Sequence, residues 1–97
     1  MEGPDEIIHQ STRLRLTATL NALGTGEAME FARLKDVLGT TDGNMTTHLT
    51  TLEGAGYIQI LKDFVGKKPR TRIALTPQGR RAFRRHVEYL KSLLDGT

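Results

Sequence analysis

Side chains with two kinds of binding chemistry lie close together between residues 41 and 72. Lysine and arginine, which bind phosphate, cluster around a glycine and a proline, the residues typical of a chain reversal. Amide and hydroxyl side chains, which can read base edges, precede them at helical spacing. Both kinds suit a polyanionic duplex. The basic residues are Lys67, Lys68, Arg70 and Arg72; the small polar residues are Gly43, Asn44, Thr46, Thr47, Thr50 and Thr51, with His48 at their margin.

Each of these groups also has a structural alternative. A charged turn keeps an edge strand from pairing with another chain, so the basic cluster could serve solubility. The threonines could form an ordinary exposed helix face. His48 lies at the edge of a buried stripe, where a packed or capping histidine is the alternative to a base contact.

Residues for catalysis or for metal binding are not grouped in this sequence. Cysteine is absent, which excludes disulfides, thiolate metal sites and a cysteine nucleophile. The sequence also shows no paired carboxylates in a recognisable pocket and no phosphate-cradling glycine loop. The histidines His9, His48 and His86 show no i, i+4 pairing, so the sequence predicts no metal site. We therefore predict neither an enzyme nor a cofactor.

The charge is divided unequally along the chain. Residues 1–61 carry 4 Lys/Arg against 8 Asp/Glu, whereas residues 62–97 carry 10 against 3. The net charge of +3 therefore hides a basic C-terminal part. A localised basic region is typical of a phosphate-binding surface, although a solvated surface is the alternative.

The composition predicts one small domain with a modest core. Of 97 residues, 37% are hydrophobic and 5% aromatic, and tryptophan is absent. A core this lean favours burial of apolar surface against a second copy. Neither a signal peptide nor an apolar run of ~20 residues is present, so we predict a soluble, cytoplasmic protein without a membrane segment.

Helical spacing and turn residues predict four helices, a short extended piece and a hairpin, a mainly α fold with a small β-hairpin (α+β). Pro4 and the acidic residues after it favour a helix start, and Gly39 ends the second helix. Thr76 and Pro77 are typical of an N-cap and a first helical residue. The predicted helices cover residues 5–23, 31–38, 42–53 and 76–94; residues 28–30 are extended and residues 57–75 form the hairpin, with residues 65–70 as the loop at its tip.

The third helix has an unusual outer face. Met45, Leu49 and Leu52 form its buried stripe, and four threonines lie on the other side. Threonine lowers helix propensity, which indicates a constraint other than folding. Asp42 would repel a phosphate, so we interpret it as an N-cap first.

The last helix carries more apolar surface than one domain needs. One face can pack on its own domain, which leaves a second stripe for a partner. Its four arginines, and Arg13 and Arg15 in the first helix, either extend a phosphate-binding surface or form a solvated face. The apolar residues are Phe83, Val87, Leu90 and Leu94, widened by Ala82, Tyr89 and Leu93; the arginines are Arg80, Arg81, Arg84 and Arg85.

Taken in order, these segments resemble the MarR/ArsR-like winged helix-turn-helix regulators, and most closely a small branch described as winged-helix DNA-binding domain proteins. The resemblance is carried by residues 41–44, 46–49, 52–58, 64–71 and 75–80. It implies a three-helix core with a β-wing and a homodimer formed by the terminal helices. It also implies a transcription regulator whose helix 42–53 enters the major groove while the wing 65–72 contacts flanking phosphate or the minor groove.

One departure from the family pattern affects base recognition. The third helix has neither arginine nor lysine, so a bidentate arginine contact to guanine is absent from it. Asn44 could read adenine and threonine methyls could contact thymine, while DNA shape supplies further selectivity.

The sequence thus predicts a dimeric repressor that binds double-stranded DNA. Two third helices would occupy major grooves ~34 Å apart on an inverted repeat. If the protein responds to a signal, either a small-molecule effector binds in the dimer cleft between the terminal helices or a partner binds; a constitutive repressor is the alternative. The alternative is a protein-interaction adaptor that does not contact DNA, which would expose a large apolar patch and would not need a basic wing.

Overall fold

A computed structural model describes residues 3–96 and, within them, four helices packed on a three-stranded antiparallel sheet. The strand order is β1-β3-β2, which confirms the predicted winged-helix arrangement. In chain order the elements are α1 (Ser11–Asn21), β1 (Ala28–Glu30), α2 (Phe31–Leu38), α3 (Asp42–Gly54), β2 (Ile58–Val65), β3 (Lys68–Leu75) and α4 (Pro77–Leu94).

The first helix is shorter at both ends than predicted. The carboxylate of Asp5 accepts the backbone N–H groups of Ile7 and Ile8, both at 3.0 Å, and so holds a separate turn. The backbone of Gln10 is extended, and its side chain caps α1 by accepting the N–H of Arg13 at 2.9 Å. The turn therefore ends before the helix begins, and it places Ile8 in the interior.

The conformation of the turn between α2 and α3 is the one that its residue types favour. Gly39 ends α2 with a φ of 64°, the left-handed conformation that glycine adopts without cost. The hydroxyl of Thr41 caps α3 by accepting the N–H of Asn44 at 3.2 Å. Asp42 is the first helical residue rather than the N-cap, and its carboxylate pairs with Lys35 at 2.8 Å. This pair ties the two helices together and raises the pKa of Lys35.

The core lies between the first three helices and one face of the sheet. Helix α3 contributes the predicted stripe Met45, Leu49 and Leu52, all buried. Leucines and isoleucines from α1, α2, β2 and β3 complete the cluster. Because this stripe faces the core, the threonine side of α3 faces solvent.

Helix α4 begins in close contact with the turn between α3 and β2. A Cβ atom at Gly79 would lie 2.0 Å from the carbonyl oxygen of Tyr57, so only glycine permits this approach. The hydroxyl of Thr76 fixes the same junction by accepting the N–H of Gly79 at 2.9 Å. The start of α4 is therefore held close to Tyr57 by a backbone contact that leaves no room for a side chain at position 79.

The sheet has two distinct faces because side chains alternate along each strand. The inner face turns toward α3 and the core; the outer face is on the opposite side. The inner face carries Ile58, Ile60, Lys62 and Phe64 of β2 with Pro69, Thr71, Ile73 and Leu75 of β3; the outer face carries Gln59, Leu61, Asp63 and Val65 with Lys68, Arg70, Arg72 and Ala74.

The turn at the end of the hairpin is shorter than the predicted loop. Val65 pairs with Lys68, so Gly66 and Lys67 alone form the turn. Gly66 has a φ of 63°, and among residues 3–96 only glycines have positive φ. That pattern fits a two-residue type II′ turn. Strand β1 pairs only with residues 72–74, so Pro69 lies on a free edge, as its missing N–H requires.

The apolar stripe of α4 is only partly covered by the rest of the chain. The residues of this helix that are buried in the domain are Gly79, Ala82 and His86. Leu93 and Leu94 remain 56% and 86% exposed. Within the described part of the chain, no helix is long and apolar enough to cross a membrane.

Candidate nucleic-acid interface

The exposed face of α3 presents methyl groups rather than free hydroxyls. Each of the four threonines donates its hydroxyl proton to the carbonyl one turn earlier. These bonds hold the four exposed side chains in place. The bonds run from Thr46 to Asp42 (2.9 Å), Thr47 to Gly43 (3.1 Å), Thr50 to Thr46 (2.9 Å) and Thr51 to Thr47 (3.2 Å).

This face is small enough to approach a nucleic acid closely. Gly43 and Asn44 lie in the first turn and are exposed, as are the four threonines. Fixed methyl groups suit contact with thymine methyls, and the amide of Asn44 has the donor and acceptor that adenine requires. Our interpretation of this face as a reading surface stays a prediction.

A groove separates α3 from the inner face of the hairpin. Thr46 and Thr50 line it on the helix side, and Lys62 and Thr71 line it on the strand side. Lys62 was not among the predicted site residues, although its spacing from Ile58 and Ile60 puts it on the same face. It brings a cation beside a helix that has none.

The four predicted wing cations fall into two groups. Arg70 donates two hydrogen bonds to the carboxylate of Asp63, at 2.9 and 2.7 Å, and Arg72 donates one at 3.2 Å. The bond from Arg70 is the main reason that the pKa of Asp63 is lowered. Lys67 and Lys68, at the turn, are exposed. The lysines are therefore better placed for phosphate than the arginines.

His48 is held against the first helix. Its Nδ1 lies 3.2 Å from Nη1 of Arg13, whose Nε also donates to the carbonyl of Ile7. Burial, and then the charge of Arg13, lowers the pKa of His48. The contact agrees with a packed role for His48. It also places Arg13 beside α3, a position that the separation of 35 residues hid from sequence reasoning.

Three of the four arginines of α4, Arg80, Arg81 and Arg84, lie on the other side of the sheet. Arg80 donates to the carbonyl and to the side-chain oxygen of Asn21, at 3.1 and 2.9 Å. Together with Arg81 and Arg84 it lines a concavity that includes the outer-face residues Gln59 and Leu61. This position, opposite α3, is consistent with a solvated or structural role rather than with a shared phosphate surface.

A partly buried polar cluster joins the N-terminal turn to α4. The N–H of Asp5 donates to Nδ1 of His86 at 3.1 Å, and the hydroxyl of Tyr57 donates to Asp5 at 2.7 Å. Burial is the main cause that raises the pKa of Tyr57 to about 12 and lowers the pKa of His86. His9 contacts the His86 ring edge-on, with ring centres 5.3 Å apart. Residues 3–96 nevertheless contain no group of three side chains suited to a metal ion.

Known proteins resemble this chain over most of its length. Residues 12–94 match a family described as winged helix DNA-binding domain. An uncharacterised protein of Methanocaldococcus jannaschii is 34% identical over 82 residues, which cover 84% of this chain and 86% of that protein.

Solved structures share the fold. A transcriptional regulator homologue from Pyrococcus horikoshii OT3 is 27% identical with a TM-score of 0.85, over 95% of this chain and 88% of that one. A zinc-responsive MarR family member of Lactococcus lactis is 18% identical with a TM-score of 0.69, over 99% of this chain and 63% of that one. The second likeness is one of fold alone.

Proposed function

Because this chain belongs to the winged helix DNA-binding domain family, we propose that it is a transcriptional regulator that binds duplex DNA as a homodimer. The family and the fold are those of DNA-binding regulators and not of enzymes. The relative from Pyrococcus horikoshii, described as a transcriptional regulator homologue, supports the same class of function.

The observation that carries the proposal is the position of α3 beside the hairpin. Helix α3 presents a small face of methyl, amide and backbone groups, and Lys62 lies across the adjoining groove. A major groove about 12 Å wide admits an α-helix whose outward side chains are small. We assign base contacts to the face from Gly43 to Thr51, with Asn44 and Thr47 nearest the N-terminal end that enters first.

The hairpin would then lie along the flanking backbone. Lys67 and Lys68 at its turn, and Lys62 on its inner face, are exposed cations. Each phosphate that a lysine neutralises releases counterions and stabilises the complex independently of sequence. Arg70 and Arg72 contribute less in this arrangement because Asp63 already binds them.

Dimerisation through α4 would complete the DNA-binding unit. The half-buried and exposed apolar residues of this helix, which include Val87, Leu90, Leu93 and Leu94, form a surface that a second copy can cover. A two-fold dimer would set two α3 helices against half-sites ~34 Å apart. A protein of this kind regulates most simply by occupying a promoter, so we propose repression.

Selection of bound duplexes from a randomised pool tests this function, with light scattering at micromolar concentration as the test of assembly. The proposal predicts a dimer that enriches an inverted repeat. Enrichment of a single half-site by a stable monomer would contradict the dimer. A parent protein that retains no duplex even at low salt would favour the protein-interaction adaptor instead.

A further inference from the structure

The end of the hairpin exposes an aromatic side chain that the regulator proposal leaves without a role. Phe64 is 70% exposed, although exposing a large apolar side chain to water is unfavourable in free energy. It lies on the inner face, which also carries Lys62 and Thr71 beside the groove against α3. Phe64 therefore points to the same side of the hairpin as the surface that we assign to DNA.

Phe64 has a prominent position near the end of the hairpin. It pairs across the hairpin with Pro69, at a position where the two strands exchange no hydrogen bonds and side chains come closest. Strand β1 ends its pairing at Arg72, so the outer half of the hairpin, residues 62–65 with 68–71, projects as a two-stranded ribbon. Four residues of strand extend about 13 Å, more than the minor-groove depth of about 7.5 Å.

Lysines flank this apolar end. Lys67 occupies the turn and Lys68 follows it, both exposed, while Lys62 precedes Phe64 by one inner-face position. An apolar side chain between cations matches the minor groove, whose walls are lined by phosphates and whose floor is formed by base edges. Proteins that insert apolar residues there unstack one base step and bend the duplex.

We propose that Phe64, with Pro69 beside it, inserts as a wedge between base pairs in the minor groove that flanks the α3 site. The inference rests on the regulator proposal. It adds a second source of sequence selectivity, which is the ease with which two neighbouring base pairs unstack. Pyrimidine–purine steps unstack most readily, so such a step should occur at a fixed distance from each half-site. This compensates for an α3 that has no arginine or lysine.

Three variants separate a wedge from a structural role. Phe64→Ala removes the wedge. Phe64→Leu keeps an apolar side chain of the kind that unstacks base steps. Val65→Ala is the matched control, because Val65 is also exposed, at 57%, and is adjacent in sequence but lies on the outer face. Thermal unfolding of each variant checks that the fold is kept.

The measurement uses a duplex selected by the parent protein, with 2-aminopurine at the flanking step and fluorophores at both ends. The parent and Phe64→Leu should raise 2-aminopurine emission and shorten the end-to-end distance, as expected for a kink of about 20–90°. Phe64→Ala should lose both signals and bind about tenfold more weakly per site, the loss expected for one stacking contact. Val65→Ala should behave as the parent does.

The outcomes distinguish this inference from the function on which it rests. If the parent binds and Phe64→Ala bends, unstacks and binds the duplex equally, the wedge is wrong and the regulator proposal stands. A Phe64→Ala protein that changes its assembly state instead of its DNA signals would show that Phe64 contacts protein. Failure of the parent to bind any duplex would overturn both.

Discussion

Arg70 donates two hydrogen bonds, at 2.9 and 2.7 Å, to the carboxylate of Asp63, its direct partner across the hairpin. Arg72 shares the same carboxylate at 3.2 Å. One acidic residue thus neutralises part of the charge that the sequence assigns to the wing. The first role of these two arginines, which lie on the outer face, is therefore to stabilise the hairpin.

Replacing Asp63 by Asn should therefore tighten DNA binding. The change frees two guanidinium groups for phosphate and removes a negative charge near the duplex, so the salt dependence should steepen by up to about 0.9 per additional phosphate contact. Fluorescence anisotropy over a salt titration measures it. Asp95→Asn, at the far end of α4, is the control for net charge alone. An Asp63→Asn protein with unchanged slope and affinity would show that the arginines do not reach DNA.

Substitutions on α3 should change which sequence is bound more than how tightly DNA is bound overall. Asn44→Ala or Thr47→Ala removes a group aimed at base edges, worth about 1–3 kcal/mol of discrimination per base pair. Selection of bound duplexes from a randomised pool measures this change in sequence preference directly. Thr19→Ala in α1 is a matched control, since Thr19 donates to the carbonyl of Arg15 at 2.8 Å in the same local manner. Unaltered preferences in both α3 variants would remove these residues from the reading surface.

Gly79 should be the glycine that tolerates alanine least. Its new Cβ would meet the carbonyl oxygen of Tyr57 at 2.0 Å, so the backbone of α4 must move. We expect Gly79→Ala to lower the free energy of unfolding by at least about 1–3 kcal/mol, as overpacking does. Gly54→Ala, at an open position in α3, should raise it by up to about 1 kcal/mol. Urea unfolding at one protein concentration compares them, and equal midpoints would contradict the close contact.

Acid should destabilise the fold through His86. Neutral His86 accepts the N–H of Asp5 at Nδ1, and protonation would turn that acceptor into a donor. Burial and His9 lower the pKa of His86 in the folded state, so the unfolded state binds the proton first. The contribution of His86 to stability is complete above the unfolded pKa near 6.5 and is lost as pH falls below it.

Melting temperatures between pH 8 and pH 5 test this sign. His86→Asn keeps an acceptor close to Nδ1 and does not titrate, so its melting temperature should fall less over the same range. His48, whose pKa is also lowered, should add a change in the same direction. Equal pH dependence in the parent and His86→Asn would show that other groups control the acid response. His9, Asp5, Tyr57 and Tyr89 surround the ring and stay unchanged in this comparison.

Local signals predicted most of the fold. The glycine after α2, the leucine spacing of α3 and the Thr76–Pro77 pair act within a few residues, so their elements were predicted closely. The start of α1 was not, because Asp5 is fixed by Tyr57 and His86, which are 52 and 81 residues away in sequence. Contacts between residues so far apart in sequence produce no periodic pattern of residue types.

The sequence indicated where the candidate site lies, but it did not indicate how the charged residues of that site pair with one another. A basic hairpin after a threonine-rich helix was evident from residue types. The partition of its cations depends on the register, and a six-residue loop predicted over residues 65–70 concealed that Asp63 and Arg70 are cross-strand partners. A two-residue turn at Gly66 and Lys67 sets that register, whereas alternation along β2 from Ile58 and Ile60 puts Lys62 and Phe64 on the α3 side.

The central claim is that α3 and the hairpin bind duplex DNA, and a salt titration of binding to fluorescent duplex tests it most directly. Three lysines in each of two hairpins would contact about six phosphates, which predicts a log–log slope of about −5. Lys67→Ala with Lys68→Ala should flatten it to about −2, since only Lys62 of each protomer remains. Absence of binding at low salt, or an equal slope in the double variant, would contradict the account.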